Sequence, residues 1–119
     1  MKYLLITLYM FSLAAIAEGK TPSFPKAFQG TWDINFESCY QQHSEMRLVI
    51  NSNFAEYWES QAELKKLIIE KDHLIRIELA MSGEGEQWIS ARIFKLTDSA
   101  NKLVISDLQG IISTRERCL

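Results

Sequence analysis

Residues 63–81 read Glu63-Leu64-Lys65-Lys66-Leu67-Ile68-Ile69-Glu70-Lys71-Asp72-His73-Leu74-Ile75-Arg76-Ile77-Glu78-Leu79-Ala80-Met81. In the second half Ile75, Ile77, Leu79 and Met81 alternate with Arg76 and Glu78. A period of two is the mark of a half-buried strand, because successive side chains on a strand point to opposite faces. The run from Glu63 to Glu70 and the run from Leu74 to Met81 flank Lys71-Asp72, a polar tight turn, so the stretch reads as an antiparallel hairpin.

The same grammar extends in both directions. Upstream, Met46 to Ile50 and Phe54 to Glu59 flank Asn51-Ser52-Asn53 and predict another hairpin. Before it, Gly30-Thr31-Trp32-Asp33-Ile34-Asn35-Phe36 places Trp32, Ile34 and Phe36 on one face of a first strand. Downstream, Ser82-Gly83-Glu84-Gly85 breaks the pattern, and a long strand from Gln87 to Leu96 carries Trp88, Phe94 and Leu96 on one face. Thr97 to Asn101 is the next turn, and Leu103 to Asp107 and Ile111 to Cys118 close the chain. A sustained helical stripe is absent from this reading. The fold class is all-β, a small antiparallel up-and-down barrel or bent sheet of about eight strands, with seven as the alternative. A helix over Ala55 to Leu67 competes locally, since Ala, Glu, Leu and Lys are good helix formers.

The amino terminus is of another kind. Lys2 precedes an apolar run from Leu4 to Ala17 interrupted only by Thr7 and Ser12, and Ala15-Ile16-Ala17 offers the small residues that signal peptidase accepts. Residues 1–17 read as a cleavable signal peptide, too short in their apolar part to serve as a bilayer span. Residues 18–27 follow as an extended lead-in restrained by Pro22 and Pro25, and residues 28–119 form a single β-barrel-like domain. Export places the protein in the periplasm, with passage beyond the outer membrane also open.

Cys39 and Cys118 are the only cysteines, and in an oxidising compartment they are expected to pair. The closed loop of roughly 80 residues corresponds to about 4.5 kcal/mol in the chain-entropy account. The bond also constrains topology. In an eight-stranded barrel Cys118 finishes beside the start of strand one, whereas Cys39 lies past its other end. Either Glu37 to Glu45 folds back, or the strands number seven.

Charge excludes one class of function. The chain has 13 Lys and Arg against 15 Asp and Glu, a net charge of −2, and loss of Lys2 with the signal peptide leaves the exported chain slightly more acidic. Nucleic-acid binding needs clustered cations, which are missing here. No cofactor, no stable membrane insertion after cleavage and a monomeric state complete the expectation.

Phe28-Gln29-Gly30-Thr31-Trp32 carries the G-x-W that opens the first strand of lipocalin-like barrels. Together with Cys39, Tyr57-Trp58-Glu59-Ser60, Ser82-Gly83-Glu84-Gly85-Glu86-Gln87-Trp88 and Arg115-Glu116-Arg117-Cys118, it makes the mature chain resemble a family of short exported Gram-negative proteins. The resemblance implies export, a barrel in which Gly30 and Trp32 are structural, and the disulfide. It implies no mechanism. In length, and in lacking their later motifs, the chain departs from lipocalins themselves.

Candidate site residues are few. Glu84 and Glu86 beside Trp88 could provide the paired carboxylates and aromatic platform of sugar hydrolysis, but a solvated turn whose acids stay in water is the preferred reading. His43 and His73 sit in turn-like segments without the further ligands a metal needs, and no nucleophile elbow occurs. Trp32 and Trp88 fall on apolar faces and are assigned to packing. Tyr57 and Trp58 are adjacent, so on a strand they point in opposite directions and one of them faces outward. Tyr57, Trp58, Glu59, Glu84 and Glu86 are therefore the expected partner-binding residues. The sequence favours a non-enzymatic binding module of inhibitor or immunity type, directed at an envelope or exogenous protein. A small apolar ligand carrier and an envelope hydrolase using Glu84 and Glu86 are the alternatives.

Overall fold

A computed structural model describes residues 21–119; the signal-peptide assignment lies outside the described residues. Eight strands, β1 (Gly30–Asp33), β2 (Leu48–Ile50), β3 (Phe54–Glu56), β4 (Gln61–Lys71), β5 (Leu74–Gly83), β6 (Glu86–Thr97), β7 (Lys102–Asp107) and β8 (Gly110–Arg117), follow one another around a closed antiparallel barrel. Closure excludes the open bent sheet and the seven-strand count. It depends on a short seam, Trp32 opposite Arg117 and Asp33 opposite Glu116. Among the described residues no helix is long and apolar enough to cross a membrane.

The helix that competes over Ala55 to Leu67 does not form. Ala55, Ala62 and Leu64 are buried while Glu56, Glu63 and Lys65 are exposed, and burying one alternate set against the core outweighs the helical preference of the segment. Tyr57 to Ser60 separates β3 from β4 as a turn closed by Tyr57 N–H donating to the Ser60 carbonyl (2.8 Å). Tyr57 and Trp58 are thus on a turn and not on the strand expected from sequence.

Strand β1 also ends early. Ile34 and Phe36, expected on the Trp32 face, are 42% and 53% exposed. The reason is the fully buried Asp33 carboxylate, which accepts hydrogen bonds from Ile34 N–H (2.8 Å), Ser44 Oγ (2.8 Å) and Arg47 Nε (3.0 Å). Asn35 then caps a one-turn helix α1 (Phe36–Cys39), its side chain accepting from Ser38 N–H (2.8 Å). Arg47 Nη2 holds the returning loop through the Ser38 and Gln41 carbonyls (2.6 and 2.8 Å). This fold-back brings Cys39 to Cys118, with Cα atoms 5.6 Å apart and a sequence separation of 79. Cys118 N–H donates to the Thr31 carbonyl (2.8 Å), so eight strands and the disulfide are compatible.

One end of the barrel is plugged. The lead-in is part of the core, which begins at Phe24 (2% exposed) and not at Phe28 (0%); Phe24 stacks on Phe94 with ring centroids 6.2 Å apart. Trp32 is fully buried and donates from its indole to the Phe28 carbonyl (3.1 Å). The Arg117 guanidinium lies 4.2 Å over the Trp32 ring and donates to the carbonyls of Ala27, Gln29 and Ala100. Gly30 has φ +131°, and a Cβ there would stand 3.1 Å from Arg117 Nη1, which explains the glycine of the G-x-W in physical terms.

Replacing Cys39 and Cys118 together by Ser is expected to lower stability by about 2–5 kcal/mol, read as a fall in the urea unfolding midpoint. Faster amide exchange over 34–47 should accompany it, since the bond tethers that segment.

Candidate functional site

Up-and-down topology sends three turns to the end opposite the plug: Tyr57 to Ser60, Glu84-Gly85, and Leu108-Gln109. The first two are in direct contact. A Cβ on Gly83 would stand 2.6 Å from the Glu59 carbonyl oxygen and 2.9 Å from Ser60 Cβ. Gly83 is needed for this close approach, since its own φ is not in the left-handed region. The positive φ values fall on Glu84 (52°) and Gly85 (80°), the two central residues of a tight hairpin closed by the Gly83–Glu86 pair. Positive φ at both positions is the requirement of a type I′ turn, and at Glu84 it is borne by a residue with a side chain.

The contact places two acids together. A side-chain hydrogen bond with Glu59, followed by repulsion from that carboxylate, raises the Glu84 pKa above its ordinary value. Glu84 is thus set against Glu59, whereas proximity in sequence pairs it with Glu86. Trp58 is 45% exposed, with the His43 imidazole edge-on at 5.7 Å. Trp88 lies opposite Met81 on the inward-pointing set of β6, with Phe94 and Leu96. Alternation assigns it to packing, yet it is 45% exposed, because β7 pairs only with Ile93 to Thr97 and leaves the upper half of β6 without a neighbour on that side. Tyr57 turns inward and packs against the core.

The open end is a cavity of about 220 Å³ bordered by Trp88, Tyr57, Ser90, Arg92, Ser113 and Arg115. Burial raises the Tyr57 pKa, an effect opposed by the nearby Arg115 and Arg92 charges. Desolvation lowers that of Arg115, opposed by Tyr57 and Asp33. Neither arginine is among the residues expected from sequence. A signal for Arg92 exists, since Ser90 and Arg92 share the parity of Trp88, Phe94 and Leu96; Arg115 lies on β8, where no apolar alternation marks the inner face. On the outer wall, Phe54 and Ile89 flank Glu63 and Ala80 in a groove of about 480 Å³ that also reaches Trp88. Among the described residues no three His, Cys, Asp or Glu side chains converge as metal ligands.

Comparison with family models, curated protein sequences and solved structures gave no match to this chain. Function is therefore read from the site itself.

Two variants test the contact between the turns. Gly83→Ala is expected to cost about 1–3 kcal/mol, the usual range for forcing atoms into a packed contact, measured by chemical denaturation. Glu84→Gln acts through charge. A carboxyl with a raised folded-state pKa destabilises the fold above that pKa and not below the unfolded-state value. The E84Q variant should therefore melt no lower than wild type at pH 7, with any difference vanishing as acid protonates Glu84.

Proposed function

We propose that this protein is a non-enzymatic binding module of the bacterial envelope that recognises another protein through the open end of its barrel. The observation that carries this reading is that Trp58, on the turn between β3 and β4, and Trp88, near the start of β6, are each 45% exposed at the same end of the barrel, where Glu59 and Glu84 meet. Exposed aromatics on a rigid frame are the groups that contribute most to protein recognition, because they bury large apolar area with few rotatable bonds. Their acidic surroundings favour a partner with a basic surface.

Rigidity supports the same reading. The Trp58 turn is held by Gly83 against the next hairpin, and the disulfide anchors the fold-back segment that brings His43 against Trp58. Loops restrained before binding lose less entropy on association. Export by residues 1–17 and an oxidised Cys39–Cys118 pair are consistent with an extracytoplasmic partner, as an inhibitor or immunity protein would have.

The experiment is retention of a partner from periplasmic extract on immobilised wild-type protein, W58A and W88A. A binding centre at these residues predicts a specific partner on wild type and an affinity loss of roughly 30-fold for each variant, as for a typical hot spot. Unchanged retention by the W58A/W88A double variant, with both proteins folded by near-ultraviolet circular dichroism, overturns the reading. Retention of no partner, combined with saturable uptake of an apolar dye, moves the function to the small-ligand carrier class.

A further inference from the structure

Arg115 stands on β8 opposite Leu103, one of the fully buried core residues. It is itself 7% exposed, and its buried Nε and Nη1 atoms have no hydrogen-bond partner. A guanidinium has five N–H donors and no acceptor, and it stays charged in proteins. Removing such a group from water without a counter-charge is among the costlier things a fold can do. The rest of the protein obeys that rule. Arg47 is paired with Asp33, and Arg117 is spread over three backbone carbonyls and a tryptophan face.

Asp33 lies near enough for its charge to favour that of Arg115, but its oxygens accept from Ile34 N–H, Ser44 and Arg47 and not from the Nε or Nη1 of Arg115. The cavity onto which Arg115 opens is lined among the described residues by no carboxylate, but by Arg92 and the hydroxyls of Tyr57, Ser90 and Ser113. Its remaining wall is apolar, with Trp88 and Ile112 at the entrance side. The chamber is thus net positive, has neutral donors beside the charge, and has one greasy side. Its volume of about 220 Å³ gives room for a short ligand.

We propose that the open end of the barrel is a binding site for a small organic monoanion, a carboxylate with a short apolar tail, whose oxygens accept from the Arg115 guanidinium where it borders the cavity while the tail lies against Trp88 and Ile112. Arg92 adds long-range attraction, and Tyr57, Ser90 and Ser113 are placed to complete the hydrogen bonding of the anion. The site shares Trp88 and the open end with the protein-partner reading but does not rest on it, since it is defined by Arg115 inside the mouth.

The test uses sodium butyrate and its neutral isostere butyramide at constant ionic strength, followed by tryptophan emission and by amide chemical shifts of Trp88, Ser90 and Ser113. Butyrate is expected to saturate, with butyramide weaker by roughly 10- to 100-fold, the worth of a charge-assisted hydrogen bond. Arg115→Met, which keeps bulk and removes donor and charge, should reduce butyrate affinity by the same factor. The comparison of the two ligands is made on the native protein, so it decides the matter even where the variant fails to fold. Equal binding of butyrate and butyramide, absence of saturation by butyrate, wild-type affinity in a folded R115M protein, or inorganic phosphate binding as tightly as butyrate overturns the proposal.

Discussion

The barrel closes through a seam of two residue pairs: between β1 and β8 only Trp32 with Arg117 and Asp33 with Glu116 are in register, a short ladder compared with the ten pairs that join β5 to β6. A ladder this short is stabilised by what surrounds it. Arg117 lies over Trp32 and donates to carbonyls from the lead-in and from the turn between β6 and β7, so one side chain ties the last strand to three other segments of the chain. The disulfide adds a covalent restraint from Cys118, the residue after Arg117, to α1.

Closure at that position makes the two ends unlike each other. Near the seam, Phe24, Phe28 and Trp32 fill the interior, and the short β1, β2 and β3 cover the lower wall. Toward the other end β6 rises past β7, whose pairing starts only at Ile93, and the wall is incomplete. The long β4, β5 and β6 contrast with β1, β2 and β3, of four, three and three residues. Half-buried aromatics and polar interior groups coexist at the unfinished end.

The buried charges show the same division. Asp33 is fully enclosed but has three donors, including Arg47, so its burial is compensated and it serves to turn the chain from β1 into α1. Arg115, nearly as enclosed, has two donor atoms without partners. The first arrangement is structural. The second stores a cost that a suitable anion relieves, as expected where a structure departs from local consistency for the sake of binding.

Whatever depends on neighbours along the chain is legible in the sequence: period-two alternation in Ile75 to Met81, turn chemistry at Asn51 to Asn53 and Thr97 to Asn101, and the glycine and tryptophan of the first strand. These are enough for an antiparallel barrel of about eight strands, because side-chain direction on a strand is a local property. Where β1 ends is settled only in the folded chain, since the turn out of the sheet requires Ser44 and Arg47 to reach Asp33 from 11 and 14 residues away. Folding also settles that Phe24 belongs to the core, that Trp88 is left half exposed by the shortness of β7, and that Glu84 meets Glu59. Arg115 is the clearest case. Alternation places an arginine on one face or the other, but only closure of the barrel makes that face an interior, and only the arrangement of the other strands and turns leaves two of its donors without a hydrogen-bond partner.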